Sequence, residues 1–112
     1  MQKLLNYHGD LAHGTVFRFP GSYPYEKYVD LMLVEFPDSD RKFGLVVSTG
    51  HKAGLILIKL SKEAESNHFA GIDRQWVIDN WNKWIYETCN IDDVYVIKNY
   101  PVPVINCSIQ QV

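Results

Sequence analysis

Between residues 15 and 60 the chain breaks into apolar runs of strand length, each closed by residues that turn a chain, and this rhythm constrains the fold more than any other feature. Residues 15–19 alternate through Val16, Phe17, Arg18 and Phe19 and stop at Pro20-Gly21, which reads as a short strand ended by a turn. Residues 21–27 hold Pro24 between Tyr23 and Tyr25 and read as an extended loop. Residues 28–36 form the next run. In strand geometry Val29, Leu31 and Leu33 point to one face and Met32, Val34 and Phe36 to the other, so both faces are expected to be covered. Pro37-Asp38-Ser39-Asp40 is a turn, because proline presets its own φ and the short Asp and Ser side chains satisfy nearby backbone groups. A strand over 43–48 follows. The segment 49–54 has glycine at positions 50 and 54, where a tight reversal tolerates positive φ. Residues 55–60 then complete a three-strand antiparallel meander.

The rest of the chain reads differently. Residues 1–14 are polar and end in glycine, suggesting a lead-in segment, and 61–71 read as a loop with at most one helical turn. Asp73 has the place of an N-cap, with Trp76, Val77, Trp81, Trp84 and Ile85 at helical spacing behind it. Residues 87–93 return the chain to a last strand over 94–100, which Pro101-Val102-Pro103 stops. The predicted fold class is α+β: a curved antiparallel β-sheet of about five strands with one main α-helix packed on it. A length of 112 residues allows one hydrophobic core, so residues 1–112 are expected to form one domain.

Chemistry-bearing patterns are sparse. Local pairs of metal ligands are missing, and His8, His13, His51 and His68 are scattered, so no metal or cofactor is expected. Cys89 with His68 and Asp92, or Ser48 with His51, are conceivable nucleophile sets without a recognisable signature, and no catalytic residue is assigned. Asp92-Asp93 flanks the last strand, and the glycines at 50 and 54 lack the spacing and the following helix of a phosphate loop. Binding is therefore the default, with a small enzyme using Cys89 or a histidine as one alternative. A second alternative is a module that binds single-stranded nucleic acid through exposed aromatics. A net charge of -2 argues against that second alternative, since nucleic-acid binders usually carry a basic stripe. Cys89 and Cys107 are widely spaced, the N-terminal residues lack an apolar signal-peptide run, and no stretch could span a bilayer, so a cytoplasmic protein without membrane contact is expected.

A partner surface can be placed from the meander. Antiparallel strands return the chain to the same end at every second turn, which puts Asp38 and Asp40 at one end of the sheet with Glu63 and Glu65, while Asp73 opens the helix nearby. These five carboxylates would share a rim, opposed mainly by Arg41, Lys42, Lys62 and Arg74. The opposite end receives Tyr23, Tyr25, His51 and Lys52. An acidic rim steers a basic partner. Fifteen Phe, Trp and Tyr residues exceed what one small core normally takes, and the three tryptophans cannot all face the sheet squarely. One of them is then an exposed anchor for a partner, with Trp81 taken as the candidate; the alternative is that all three are core or partly covered by the C-terminal tail.

Several blocks carry a family resemblance. Tyr23-Pro24-Tyr25-Glu26, the runs over 43–48 and 50–57, and above all Trp76-Val77-Ile78-Asp79-Asn80-Trp81-Asn82-Lys83-Trp84 resemble the immunity protein forty-five family of bacterial polymorphic-toxin systems. Residues 89–97 look like that family's final strand and its approach, and the match runs in order from about residue 14 to residue 100. His51 stands where many relatives have tyrosine, and the tail from Pro101 onward is peculiar to this sequence. The resemblance implies a non-catalytic α+β immunity protein that binds the C-terminal domain of a cognate toxin in the cytosol and neutralises it. A cytosolic inhibitor of acidic character suits a toxin that acts there, such as a nuclease. It carries over no catalytic residues and no toxin-contacting positions.

Overall fold

A computed structural model describes residues 1–21 and 27–101. Tyr23, Pro24, Tyr25 and Glu26, the proline-bounded stop at 102–103, and Cys107 lie outside the described residues. The meander forms where alternation is clearest. β2 (Val16–Pro20) pairs with β3 (Tyr28–Glu35), β3 with β4 (Phe43–Val47), and β4 with β5 (Ile56–Lys59), all antiparallel. Gly50 and Gly54, in the turn between β4 and β5, have φ of 69° and 95°, in the left-handed region that a side chain disfavours.

The fold class is α+β, with a curved antiparallel sheet, but the sheet has six strands. β1 (Gln2–Lys3) and β6 (Tyr95–Ile97) complete the order β1-β6-β2-β3-β4-β5. The expected lead-in segment thus contains an edge strand, and immediately after it Leu4 is fully buried. A two-residue strand has no alternation to reveal it. The final strand is shorter than the run 94–100 and lies inside the sheet, with Val96 opposite both Gln2 and Phe17.

One face of the sheet carries the core: Phe17 and Phe19, Val29, Leu31 and Leu33, Phe43 and Leu45, and Val96. Across it lies α1 (Arg74–Asn80), capped at its start as the sequence predicts, with the Asp73 carboxylate accepting from Trp76 N at 2.9 Å. The helix then widens into a π-type turn over Trp81–Ile85, where Tyr86 N donates to Trp81 O at 2.8 Å. Val77, Trp81 and Ile85 form the buried stripe. Trp81 packs edge-on to Phe19 with ring centroids 5.3 Å apart, and tilted against Phe17 at 5.8 Å.

The second face of β3 is covered unevenly. Met32 and Val34 are half-buried, whereas Asp30, which interrupts the apolar run, is wholly buried. Its partner across the strands is Arg18. The guanidinium donates from Nε and Nη2 to the two carboxylate oxygens at 2.7 and 2.8 Å, the bidentate geometry that makes burial of this charge tolerable. The Tyr100 hydroxyl donates to Asp30 Oδ2 at 2.7 Å and lies 2.6 Å from Ser48 Oγ. Arg18 is held above its ordinary pKa, chiefly by its hydrogen bond to Asp30, and burial raises that of Tyr100.

Candidate functional site

The rim residues lie on three segments that the sheet brings to one end. Asp38 and Asp40 are exposed on the turn between β3 and β4. Glu63 is exposed on a tight helical turn over Lys62–Ala64, and Glu65 is half-buried and bridged to Ile72. That turn is tied to the start of the helix, since Asp73 N donates to Ala64 O at 2.7 Å. Asp73 is exposed, but its carboxylate already caps α1. Cations interleave with these acids. Arg41 Nη1 reaches the carbonyl of Lys59 at 3.4 Å, and the Lys59 ammonium lies over the Phe36 ring at 4.9 Å from its centroid. The rim is therefore mixed in sign.

Trp81 is not at the surface. Its side chain is 0% exposed, enclosed by Phe17 and Phe19, so the expectation of an exposed Trp81 is corrected, and the exposed tryptophan is Trp84, at 61%. The physical reason lies in the helix. Val77, Trp81 and Ile85 follow one another at one-turn spacing on the side that meets the sheet, while Trp76, Asn80 and Trp84 form a parallel stripe beside them. This second stripe is one wall of a groove of about 260 Å³, whose other wall is Arg41, Ile58 and Lys59, with Glu63 at its rim.

The groove opens onto β5, the edge of the sheet. Leu55, Ile56 and Leu57 are 60%, 53% and 43% exposed, three consecutive apolar side chains where a β-bulge between β4 and β5 disturbs the alternation. Sequence reasoning took 55–60 as an ordinary strand and missed this patch. The unbroken apolar run Leu55-Ile56-Leu57-Ile58 was its only signal.

The asparagines of the tryptophan-rich block shape this wall. Asn80 Nδ2 donates to Trp76 O at 2.8 Å, and Asn82 Nδ2 reaches the carbonyl oxygens of Tyr86, Glu87 and Cys89 at 3.2, 3.3 and 2.6 Å. Asn82 thereby ties the loop that follows the helix back onto its last turn, satisfying three of that loop's carbonyls. Cys89 lies beneath this turn. Its thiol is buried, donates to Asn90 O at 3.3 Å, and is pushed up to about 11, first by burial and then by the charge of Asp93. A thiol so held is a poor source of thiolate at neutral pH. Ser48, the other imagined nucleophile, is committed to Tyr100. Among the described residues no three His, Cys, Asp or Glu side chains gather to hold a metal, and no helix is long and apolar enough to cross a membrane.

The surface thus offers one exposed tryptophan, which lines a groove with the Ile58–Lys59 end of the edge strand between charges of both signs, and an exposed apolar run at Leu55–Leu57. A family model described as immunity protein 45 matches residues 4–96. No curated protein and no solved structure matches the chain.

Proposed function

The chain belongs to the immunity protein 45 family, and from that premise we propose that it neutralises a cognate bacterial toxin domain by binding and covering it, with no catalytic step of its own. The family match over residues 4–96 carries this reading. The exposed Trp84 beside an apolar edge supports it, because large aromatic side chains at a groove are the usual anchors of a protein interface. Cys89, the nucleophile of the enzymatic alternative, is buried with a raised pKa, which favours binding over turnover.

Asp38, Asp40, Glu63 and Glu65 are proposed to guide the toxin's approach, with Asp73 beside them. We place the encounter in the cytoplasm, with a toxin that acts there, such as a nuclease. A nuclease tends to be basic, and the net charge of -2 is compatible with such a partner. Protection at low protein concentration requires a Kd of about 1 nM or below, about 12 kcal/mol of binding free energy.

The test is to mix the purified chain with the toxin domain encoded beside its gene, and to express both in one cell. A stable complex and survival of the cell are expected. Neither complex nor protection would refute the reading. Binding of a single-stranded oligonucleotide that weakens with salt would favour the nucleic-acid alternative instead.

A further inference from the structure

We propose that the pocket over Arg18, between Tyr28 and Tyr95, takes an aspartate or glutamate side chain of the toxin. The proposal rests on the toxin-binding reading above and names one contact that performs it. β2 lies between β6 and β3, and on the face away from the helix Arg18 stands opposite Tyr95 on one side and Asp30 on the other. Tyr28 is opposite Pro20, two residues further along β2. Together with Met1 these side chains line an open pocket of about 410 Å³. Tyr28 is 51% exposed, Tyr95 is half-buried, and Arg18 keeps about a third of its side chain in the open, at 35%.

A buried ion pair is weak evidence of stabilisation, since apolar residues of similar volume often serve as well. Here the pair fixes a binding group. Asp30 holds Nε and Nη2 of Arg18 and is itself held by Tyr100, while no acceptor among the described residues meets Nη1. A guanidinium fixed in advance loses little freedom when a partner arrives. Charge selects the occupant. The Asp30–Arg18 pair is neutral as a unit, but exposed Lys3 stands opposite Tyr95, and Lys27 Nζ lies 5.8 Å from the centroid of the Tyr28 ring. Asp30 is the only carboxylate among the described residues that acts on the Arg18 charge. Asp93, close to Tyr95 in the chain, acts instead on Cys89. The pocket is therefore positive at its rim. A carboxylate can accept from the guanidinium there while the two tyrosine rings pack its methylene groups and exclude water, and Arg and Tyr are residues that commonly anchor protein interfaces. Two lysines are too few to offset a strand of phosphates, which disfavours nucleic acid as the occupant.

Double-mutant cycles test the contact directly. The unaltered chain, Tyr28→Ala, and the pair Lys3→Glu with Lys27→Glu are each titrated with the toxin domain encoded beside the gene, unaltered or with one surface Asp or Glu changed to its amide. The positions altered in this chain are exposed, so the fold is kept, which circular dichroism would verify. Tyr28→Ala is expected to weaken binding about tenfold, and the charge reversal severalfold, most strongly at low salt. One toxin acid should account for the loss: its amide form binds weakly, and combining it with Tyr28→Ala costs little more than either change alone. If the unaltered chain forms no complex, the toxin-binding reading fails and this contact with it. If it forms one that both variants match in affinity, the pocket proposal alone fails. It fails as well if the variants bind weakly but no toxin acid couples to Tyr28. A single-stranded oligonucleotide bound by the unaltered chain and released by the lysine reversal would overturn it in favour of nucleic acid.

Discussion

Trp81 and Trp84 show how much one turn of helix decides. Trp81 fills the space between helix and sheet, and its indole Nε1 is buried without a hydrogen-bond partner. Its contribution is therefore packing, and Trp81→Ala is expected to cost about 3–5 kcal/mol in urea denaturation, as removal of a large buried aromatic does. Trp84→Ala is expected to stay within about 0.5 kcal/mol of the unaltered chain. Asp30 is sensitive for a different reason. Asp30→Ala strands the Arg18 guanidinium and leaves the Tyr100 hydroxyl with Ser48 alone, and is expected to cost about 3 kcal/mol, the lower part of the range for broken buried pairs because Arg18 reaches water. Cys89 adds a pH dependence. Its folded pKa of about 11 exceeds the ordinary 9.0, so the unfolded thiol ionises first as pH rises. Stability from this group is complete below about pH 9 and is lost between there and about pH 11. Denaturation midpoints measured across that window should fall, and should fall less for Cys89→Ala.

The elements differ in how far the sequence reveals them. β2 was legible from its alternation, β3 and β4 as apolar runs of strand length bounded by turn residues, and the helix because Asp73 caps it and apolar residues recur behind it. The widening at Trp81–Ile85 was not legible, since a π-type turn changes the hydrogen-bond spacing without changing the apolar pattern. β5 was found and misjudged: an apolar run reads as buried, and only the sheet order reveals an edge. Gly44 records how closely β4 and β5 approach. A Cβ there would lie 2.6 Å from Phe36 Cε2 and 2.8 Å from the carbonyl oxygen of Ile58. The ring can swing aside, but the backbone of β5 cannot without moving the edge. Gly44→Ala is expected to destabilise the fold by about 1–3 kcal/mol, measured by thermal unfolding.

At the scale of the molecule, charge distribution is the remaining question. The acids at 38, 40, 63, 65 and 73 were placed at one end of the sheet from topology alone, and the end they occupy follows from the antiparallel meander. Their strength as a field was harder to read, because Lys59 joins Arg41 among them only when β4 and β5 pair. Reversing the charges of Asp38, Asp40, Glu63 and Glu65 together is expected to slow association with the toxin severalfold at low salt while changing dissociation little, as stopped-flow mixing would measure. An unchanged rate would assign those carboxylates to solubility. Toxin identity has no signature in a surface of this kind, since recognition depends on a partner's shape.

The strand order has a temporal side. β6 sits between β1 and β2, yet its residues follow nearly all the others in the chain. While the protein is being synthesised, the flank of β2 that β6 will occupy lacks its neighbour, and the Asp30 carboxylate waits for the Tyr100 hydroxyl 70 positions downstream. Closure is thus a late, long-range event on the ribosome, of the slow kind that depends on distant contacts. The sheet and the Asp30 cluster are complete only once residues 95–100 have emerged.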